Sequence, residues 1–145
     1  MNALRLLAVL FALAIAAQAE EKVWSAVILA SDPARGEKPK APPADIAPYA
    51  AKLTKVFGYE QFEILGSATK AMDNQTERWL VPSQNFWVGA FAQRAADGYL
   101  LKLEFFHDKR KIVETQAKLG SGTPLFIRGP VHARGQLIVV FEVRQ

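Results

Sequence analysis

The feature that most constrains the fold is the alternation of apolar and polar residues after Tyr59, which short clusters of turn residues interrupt. The segment from Tyr99 to His107 shows it most clearly, because Lys102 and Glu104 separate its apolar residues. A period of two residues places the apolar side chains on one face of a β-strand. The tripeptides ADG before this segment and DKR after it are typical of turns. The pattern predicts consecutive antiparallel strands.

Seven further segments have strand character. They are residues 22–31, 61–68, 77–82, 85–93, 112–119, 124–128 and 136–144. The first, KVWSAVILAS, is apolar on both alternating faces, which is typical of a central strand covered on both sides. In the segment 112–119, the alternation predicts that Val113, Thr115, Ala117 and Leu119 face inward.

Residues 45–57 have the spacing of an amphipathic helix, with Leu53 in the middle of the apolar stripe. Asp45 is the predicted N-terminal cap, Pro48 falls in the first turn, and Gly58 is placed to end the helix in a left-handed conformation. A helix with one apolar stripe needs a sheet to pack on. The prediction is therefore an α+β fold: a mainly antiparallel sheet or sandwich of six to eight strands with one amphipathic helix, about residues 45–57.

The N-terminal residues have the pattern of a secretory signal. Arg5 precedes an apolar run over residues 6–17, and the sequence AQA at residues 17–19 fits a cleavage site. The run is shorter than the roughly 20 apolar residues that cross a membrane, although an N-terminal anchor helix remains the alternative. We expect a signal peptide at residues 1–19 and a single α+β domain at residues 20–145, located in the periplasm or outside the cell, with no stable membrane insertion after cleavage.

The composition excludes some classes of partner and anchor. The chain has no cysteine, so we expect neither a disulfide nor a lipid anchor on an N-terminal cysteine. Its formal net charge is +4. Nucleic-acid-binding domains usually carry a denser cationic stripe than this, so no nucleic-acid partner is expected.

No residues form a recognised catalytic or metal-binding pattern. His107 and His132 lie far apart in the chain, whereas zinc needs three or four ligands. Gly120-Ser121-Gly122 precedes a strand, so it matches neither a phosphate loop nor a nucleophile elbow, both of which need a following helix. We therefore predict no catalytic, metal-binding or cofactor-binding residue and no cofactor. A triad assembled from distant residues stays open, because such sets are recognised by geometry.

Two clusters of cations are candidates for binding. Lys109, Arg110 and Lys111 lie at one predicted hairpin tip. Arg128 and Arg134 flank the last loop. If the two tips lie at the same end of the sheet, they form a basic rim that attracts anionic groups. The alternative is that these charged side chains lie on exposed turns, contribute to the solubility of the protein and bind nothing specific.

Phe106 and Phe126 are the second candidate, because both break the alternation of their strands. With Ile112, Ile138 and Val140 they predict a partly apolar outer face on the C-terminal strands, which could contact a partner. The alternative is that the helix or a second sheet covers this face.

Four segments, VWSAVILASD, LTKVFGYEQFEILG, LGSGTPLFIRGP and GQLIVVFEV, resemble an uncharacterised family of small exported proteins of Gram-negative bacteria such as verrucomicrobia and myxobacteria. The resemblance implies a periplasmic setting and assigns no catalytic residue. We expect a non-catalytic interaction or assembly module whose partner is an envelope protein or an anionic envelope component. A small hydrolase-type enzyme and a small-ligand carrier with a cavity under the helix are the alternatives, and the oligomeric state is open.

Overall fold

The computed structural model describes residues 20–72, 77–84 and 86–145. The predicted signal peptide and the first residue of the predicted strand 85–93 lie outside these ranges. The described residues form eight strands, one 3-10 turn and one α-helix. The strands are β1 (Lys22–Ser31), β2 (Gln61–Ala71), β3 (Glu77–Val81), β4 (Phe86–Ala95), β5 (Gly98–His107), β6 (Arg110–Gly120), β7 (Leu125–His132) and β8 (Gly135–Arg144). The 3-10 turn (Ala47–Tyr49) leads into the helix α1 (Ala50–Phe57).

The strands form two four-stranded antiparallel sheets. Sheet A has the order β2-β1-β8-β7, and sheet B has the order β3-β4-β5-β6. The chain passes from sheet A to sheet B between β2 and β3 and returns between β6 and β7; each of these two pairs is also in contact across the sandwich. This arrangement confirms the predicted α+β class and its sandwich form.

The first strand divides the core into two layers. Val23 and Val27 point between the sheets into a large buried cluster, whereas Trp24 and Ile28 point away from sheet B into a second cluster. The second cluster includes Leu53 of the helix, so α1 covers the outer face of sheet A. β1 lies between β2 and β8, which confirms that the apolar segment is a central strand covered on both sides.

The helix begins later than the sequence predicts. Asp45 does not cap it; its carboxylate instead accepts a hydrogen bond from Arg144 Nη1 at 3.1 Å. The chain makes a 3-10 turn first, with Pro48 in its opening positions, where a missing N–H leaves no helical hydrogen bond unmade. The predicted end is confirmed: Gly58 has φ 82 and donates its N–H to the Thr54 carbonyl. No helix in the described part of the chain is long and apolar enough to span a membrane.

The predicted burial of β6 is partly wrong. Leu119 is buried and Ala117 half-buried, but Thr115 is exposed and Val113 is 50% exposed. The reason is that β6 is the edge strand of sheet B, and its first half borders a crevice that opens between it and β7. The alternation gives the direction in which a side chain points, but a neighbouring layer has to be present to bury it.

Candidate functional site

The outer face of sheet B carries half-buried aromatic rings, and no helix of the described residues lies over it. The helix of the described residues lies on sheet A, as its buried Leu53 shows. β4 places Phe86, Val88 and Ala90 in the core, so the alternating residues of the same strand point outward. These outward positions carry large apolar side chains where polar residues are usual on a solvated face.

Trp87 and Phe106 form the centre of this surface. They are directly opposite each other on β4 and β5, and Lys111 of β6 is opposite Phe106. The two rings stack with their centroids 3.8 Å apart and an angle of 6° between their planes. Both residues are half-buried. Each ring therefore covers one face of the other, and the pair lies next to a cation.

A shallow groove of about 220 Å³ continues from this pair. Leu80, Trp87, Phe91 and Phe106 surround Gly89 in it, and we call this set the aromatic face. Leu80 is 57% exposed. A Cβ at Gly89 would be in ordinary contact with neighbouring side chains, at 3.8 Å or more, so glycine is not required there for space. Because glycine has no side chain, the groove is deeper at Gly89 than it would be with a larger residue.

The β5–β6 tip extends the aromatic face at the open end of the sheet. Asp108 and Lys109 have positive φ values, 48 and 66, and form the two-residue turn that joins the strands. Two positive φ values are typical of the type I′ hairpin turn. Lys109 lines a cavity together with Trp87, Gln84 and Asp108, so the cation at the tip and one ring of the aromatic pair border the same space.

Glu114 partly balances the lysines beside the aromatic face. Its carboxylate lies 3.1 Å from Lys102 Nζ and 3.3 Å from Lys111 Nζ. The hydrogen bonds from Lys102 and Lys111 lower the pKa of Glu114, so the carboxylate stays charged well into the acid range. The positive charge at this end is therefore greatest at the tip itself, around Lys109 and Arg110.

The two predicted basic tips lie at the same end of the sandwich. His132, at the end of β7, and Phe86, at the start of β4, line one cavity. Phe86 pairs with His107, which adjoins the turn that carries Lys109. The turn with Arg134 follows His132, so it belongs to this end as well. The geometric condition for a basic rim is met, although its members point in different directions.

Arg128 is separated from the other cations. Its guanidinium carbon lies 5.1 Å from the centroid of the Phe57 ring, on the side of sheet A that the helix covers. Lys109 and Lys111 border sheet B. The five cations consequently surround one end of the molecule without forming a single patch.

The prediction of one apolar outer face around Phe106 and Phe126 is wrong. Phe106 lies on sheet B, whereas Phe126 lies on sheet A and packs on Tyr49 with ring centroids 5.2 Å apart. Ile138 and Val140 are fully buried under the helix. The chain changes sheets between β6 and β7, so outward residues before and after this crossing belong to opposite surfaces. The space under the helix is filled by side chains, which removes the basis for a carrier cavity there.

The predicted binding residues do not include Trp87, although a signal for it was present. In FWVGAFA, residues 86–92, apolar residues occupy both alternating sets, and one set must face outward if the strand is not covered on both sides. The sequence does not tell which sheet the helix covers, so both sets were compatible with a buried strand.

Metal-ligand clusters and serine hydroxyls are two catalytic features to look for among the described residues. Within them, no group of three or more His, Asp or Glu side chains could hold a metal ion. The hydroxyl of Ser121 donates to Glu21 at 3.4 Å, and that of Ser83 donates to the carbonyl oxygen of Phe86. Comparisons of the chain with protein-family models, with curated proteins and with solved structures found no match.

Proposed function

We propose that this protein is an exported, non-catalytic binding module that recognises an acidic glycan of the cell envelope. The aromatic face takes the sugar rings, and the β5–β6 tip takes their anionic groups. The observation that carries the proposal is the stacked pair of Trp87 and Phe106, whose Trp87 lines a cavity with Lys109, on a sheet face that no helix of the described residues covers. Aromatic side chains of this size are usually buried, and exposed clusters of them mark interaction sites.

The chemistry of the surface favours a glycan. The C–H groups of a sugar ring carry a partial positive charge and pack on the negative face of an aromatic ring. The low floor at Gly89 leaves room for a ring between Leu80 and Trp87. Lysine side chains provide mobile point charges for a carboxylate or sulfate group. The mixed charges of Lys102 and Glu104 along the groove suit hydroxyl groups, which both donate and accept hydrogen bonds.

The envelope setting is part of the proposal. It is supported by the signal pattern of residues 1–19 and by the resemblance to exported proteins. Export with cleavage after Ala19 requires a mature chain that begins at Glu20, which intact-mass measurement of the exported protein checks directly.

Affinity electrophoresis through gels that contain an acidic polysaccharide, polygalacturonate, tests the binding surface. We expect the wild-type protein to be retarded in these gels and not in gels with neutral dextran. Trp87→Leu should weaken the apparent affinity for the polysaccharide by up to roughly tenfold. The reason is that one aromatic stacking contact is worth at most about 1.4 kcal/mol beyond the apolar area that it buries. Phe126→Leu is the matched control, because it removes a half-buried ring from the opposite outer face.

A second variant, with residues 109–111 all changed to glutamine, tests the role of charge. It should retain stacking but lose the preference for the acidic polymer and most of its salt dependence. The same variants are assayed on anionic liposomes and on envelope extract. Retardation that is equal in the Trp87→Leu and wild-type proteins contradicts the proposal. If the protein binds liposomes or an envelope protein but does not bind the polysaccharide, the glycan proposal is wrong and that partner takes the place of the glycan.

A further inference from the structure

Another open cavity lies between the free edges of the two sheets. β6 is the edge strand of sheet B and β7 that of sheet A. The connection at residues 121–124 joins them at one end, and toward the other end they border a crevice of about 400 Å³. Its lining residues are Phe86, Phe105, Ile112, Val113, Thr115, Ile127, Arg128, Gly129 and Pro130. The volume is within the range of about 300–1,000 Å³ that is usual for small-molecule sites.

The crevice has an apolar floor and an apolar wall. Phe86 and Phe105 are buried at its floor, with ring centroids 6.0 Å apart. Ile112 and Val113 form the wall on β6 and are 46% and 50% exposed. Both side chains lie beside buried rings. Covering them with an apolar group removes their exposed surface from water, which favours binding of that group.

A built-in irregularity of β7 keeps the crevice open. The register of β7 against β8 shifts between Arg128 and Val131, at Gly129 and Pro130. Pro130 has no N–H to donate to a neighbouring strand, which suits an edge position. The buried side chain of Gln136 donates a hydrogen bond to the carbonyl oxygen of Gly129 and holds the irregular backbone in place.

One arginine, Arg110, stands at the open end of the crevice. The register places Arg110 opposite His107, which is itself opposite the buried Phe86, so Arg110 lies on the face of β6 that is directed between the sheets. Arg128 of β7 also lines the crevice, but its guanidinium packs on the Phe57 ring, on the side of sheet A that the helix covers. The described residues that line the crevice include no carboxylate. The mouth therefore favours an anionic group, and the interior favours hydrocarbon.

We infer that this crevice binds a single-chain amphiphile with an anionic head, of the chemical class of a long-chain fatty acid. The hydrocarbon chain lies along Ile112 and Val113 over the two phenylalanine rings, and the carboxylate lies at Arg110. The crevice is distinct from the aromatic face, which occupies the outer surface of sheet B. Arg110 at the β5–β6 tip is the residue that the two proposals share, so the variants at Trp87 and Val113 are the ones that separate them.

Fluorescence titration of the exported protein with 11-(dansylamino)undecanoic acid, below the concentration at which it forms micelles, tests the site. We expect a blue-shifted, enhanced emission that dodecanoate displaces. Displacement should tighten by roughly fourfold for each added methylene between octanoate and dodecanoate, as burial of hydrocarbon predicts. Dodecanol, which has the same chain without the charge, should displace the probe more weakly than dodecanoate does.

Variants separate the crevice from the rest of the surface. Val113→Trp fills the crevice and should abolish probe binding, and Val131→Trp is the matched control on β7, where the side chain is 73% exposed and does not line the crevice. If Val113→Trp does not fold, Ile112→Ser takes its place, because it is a smaller change at a half-exposed residue. Ile112→Ser should weaken probe binding by more than roughly tenfold. Arg110→Gln should reduce the preference for dodecanoate over dodecanol.

Three results would overturn the inference. They are equal probe binding by the Val113→Trp and Val131→Trp proteins, displacement that does not depend on chain length, and binding to vesicles of anionic lipid without binding to the monomeric acid. Each is distinguishable from failure of the glycan proposal, because Trp87→Leu should leave fatty-acid binding unchanged and Val113→Trp should leave retardation by polygalacturonate unchanged.

Discussion

Replacement of Leu53 by alanine tests how the helix is attached to the sandwich. Leu53 is the one residue of α1 that is fully buried, and it packs in the cluster with Ile46, Phe62 and Ile138. Loss of a buried leucine side chain costs about 2–5 kcal/mol, and the cost falls where neighbours can close the gap. The strands below are held by their ladders, but a helix of eight residues can move toward them. We therefore expect a loss near the middle of that range, about 3 kcal/mol.

Urea unfolding followed by tryptophan fluorescence measures this loss. Trp24 is a suitable reporter, because it lies in the same buried cluster as Leu53. With a slope of about 1.5 kcal/mol per molar urea, a loss of about 3 kcal/mol lowers the midpoint by roughly 2 M. The control is Thr54→Ala at the exposed next position, which should change stability by less than about 0.5 kcal/mol. Equal shifts for the two variants would refute the assignment of the buried face.

Two further predictions concern a close backbone approach and a buried phenol. Gly66→Ala should destabilise the protein by at least about 2 kcal/mol in the same assay, since its Cβ would lie 1.7 Å from the carbonyl oxygen of Pro82 and the backbone must move. Gly89→Ala, whose Cβ finds ordinary contacts, should cost less than about 1 kcal/mol, and similar losses for the two would contradict this. Burial, with the hydrogen bond to Glu21, raises the pKa of Tyr99 from 10.0 to about 12. The folded state thus holds this proton more tightly than the unfolded chain does, so the stability it contributes is present below pH 10 and is lost as the pH rises toward 12. Tyr99→Phe should make urea midpoints between pH 9 and 12 fall less steeply, and an unchanged slope would refute this.

Local patterns in the sequence were sufficient for the elements themselves. The alternation of β5 and the double apolar pattern of β1 both predicted the observed strands, and the left-handed Gly58 ended the helix as expected. The α+β class followed from one amphipathic helix among many strands. These features depend on backbone preferences and on the direction of neighbouring side chains, which a few consecutive residues contain.

Contacts between distant residues decided what the local patterns could not. Asp45 was expected to cap the helix, but it binds Arg144, which is 99 positions away and competes for the same carboxylate. No residue near Asp45 signals that contact. A tertiary hydrogen bond therefore removed the expected N-terminal cap, while the end of the helix was set locally by glycine.

The candidate sites depend on the packing of the sheets rather than on the strands alone. A period of two residues separates the two faces of a strand, but it does not state which sheet the strand joins or what covers the outer face. The crossing between β6 and β7 assigned Phe106 and Phe126 to opposite surfaces. The placement of the helix on sheet A left Trp87 at the surface, and the separation of the two sheet edges left Val113 beside an open crevice. Because burial requires a second layer, only the tertiary structure could distinguish these residues from core.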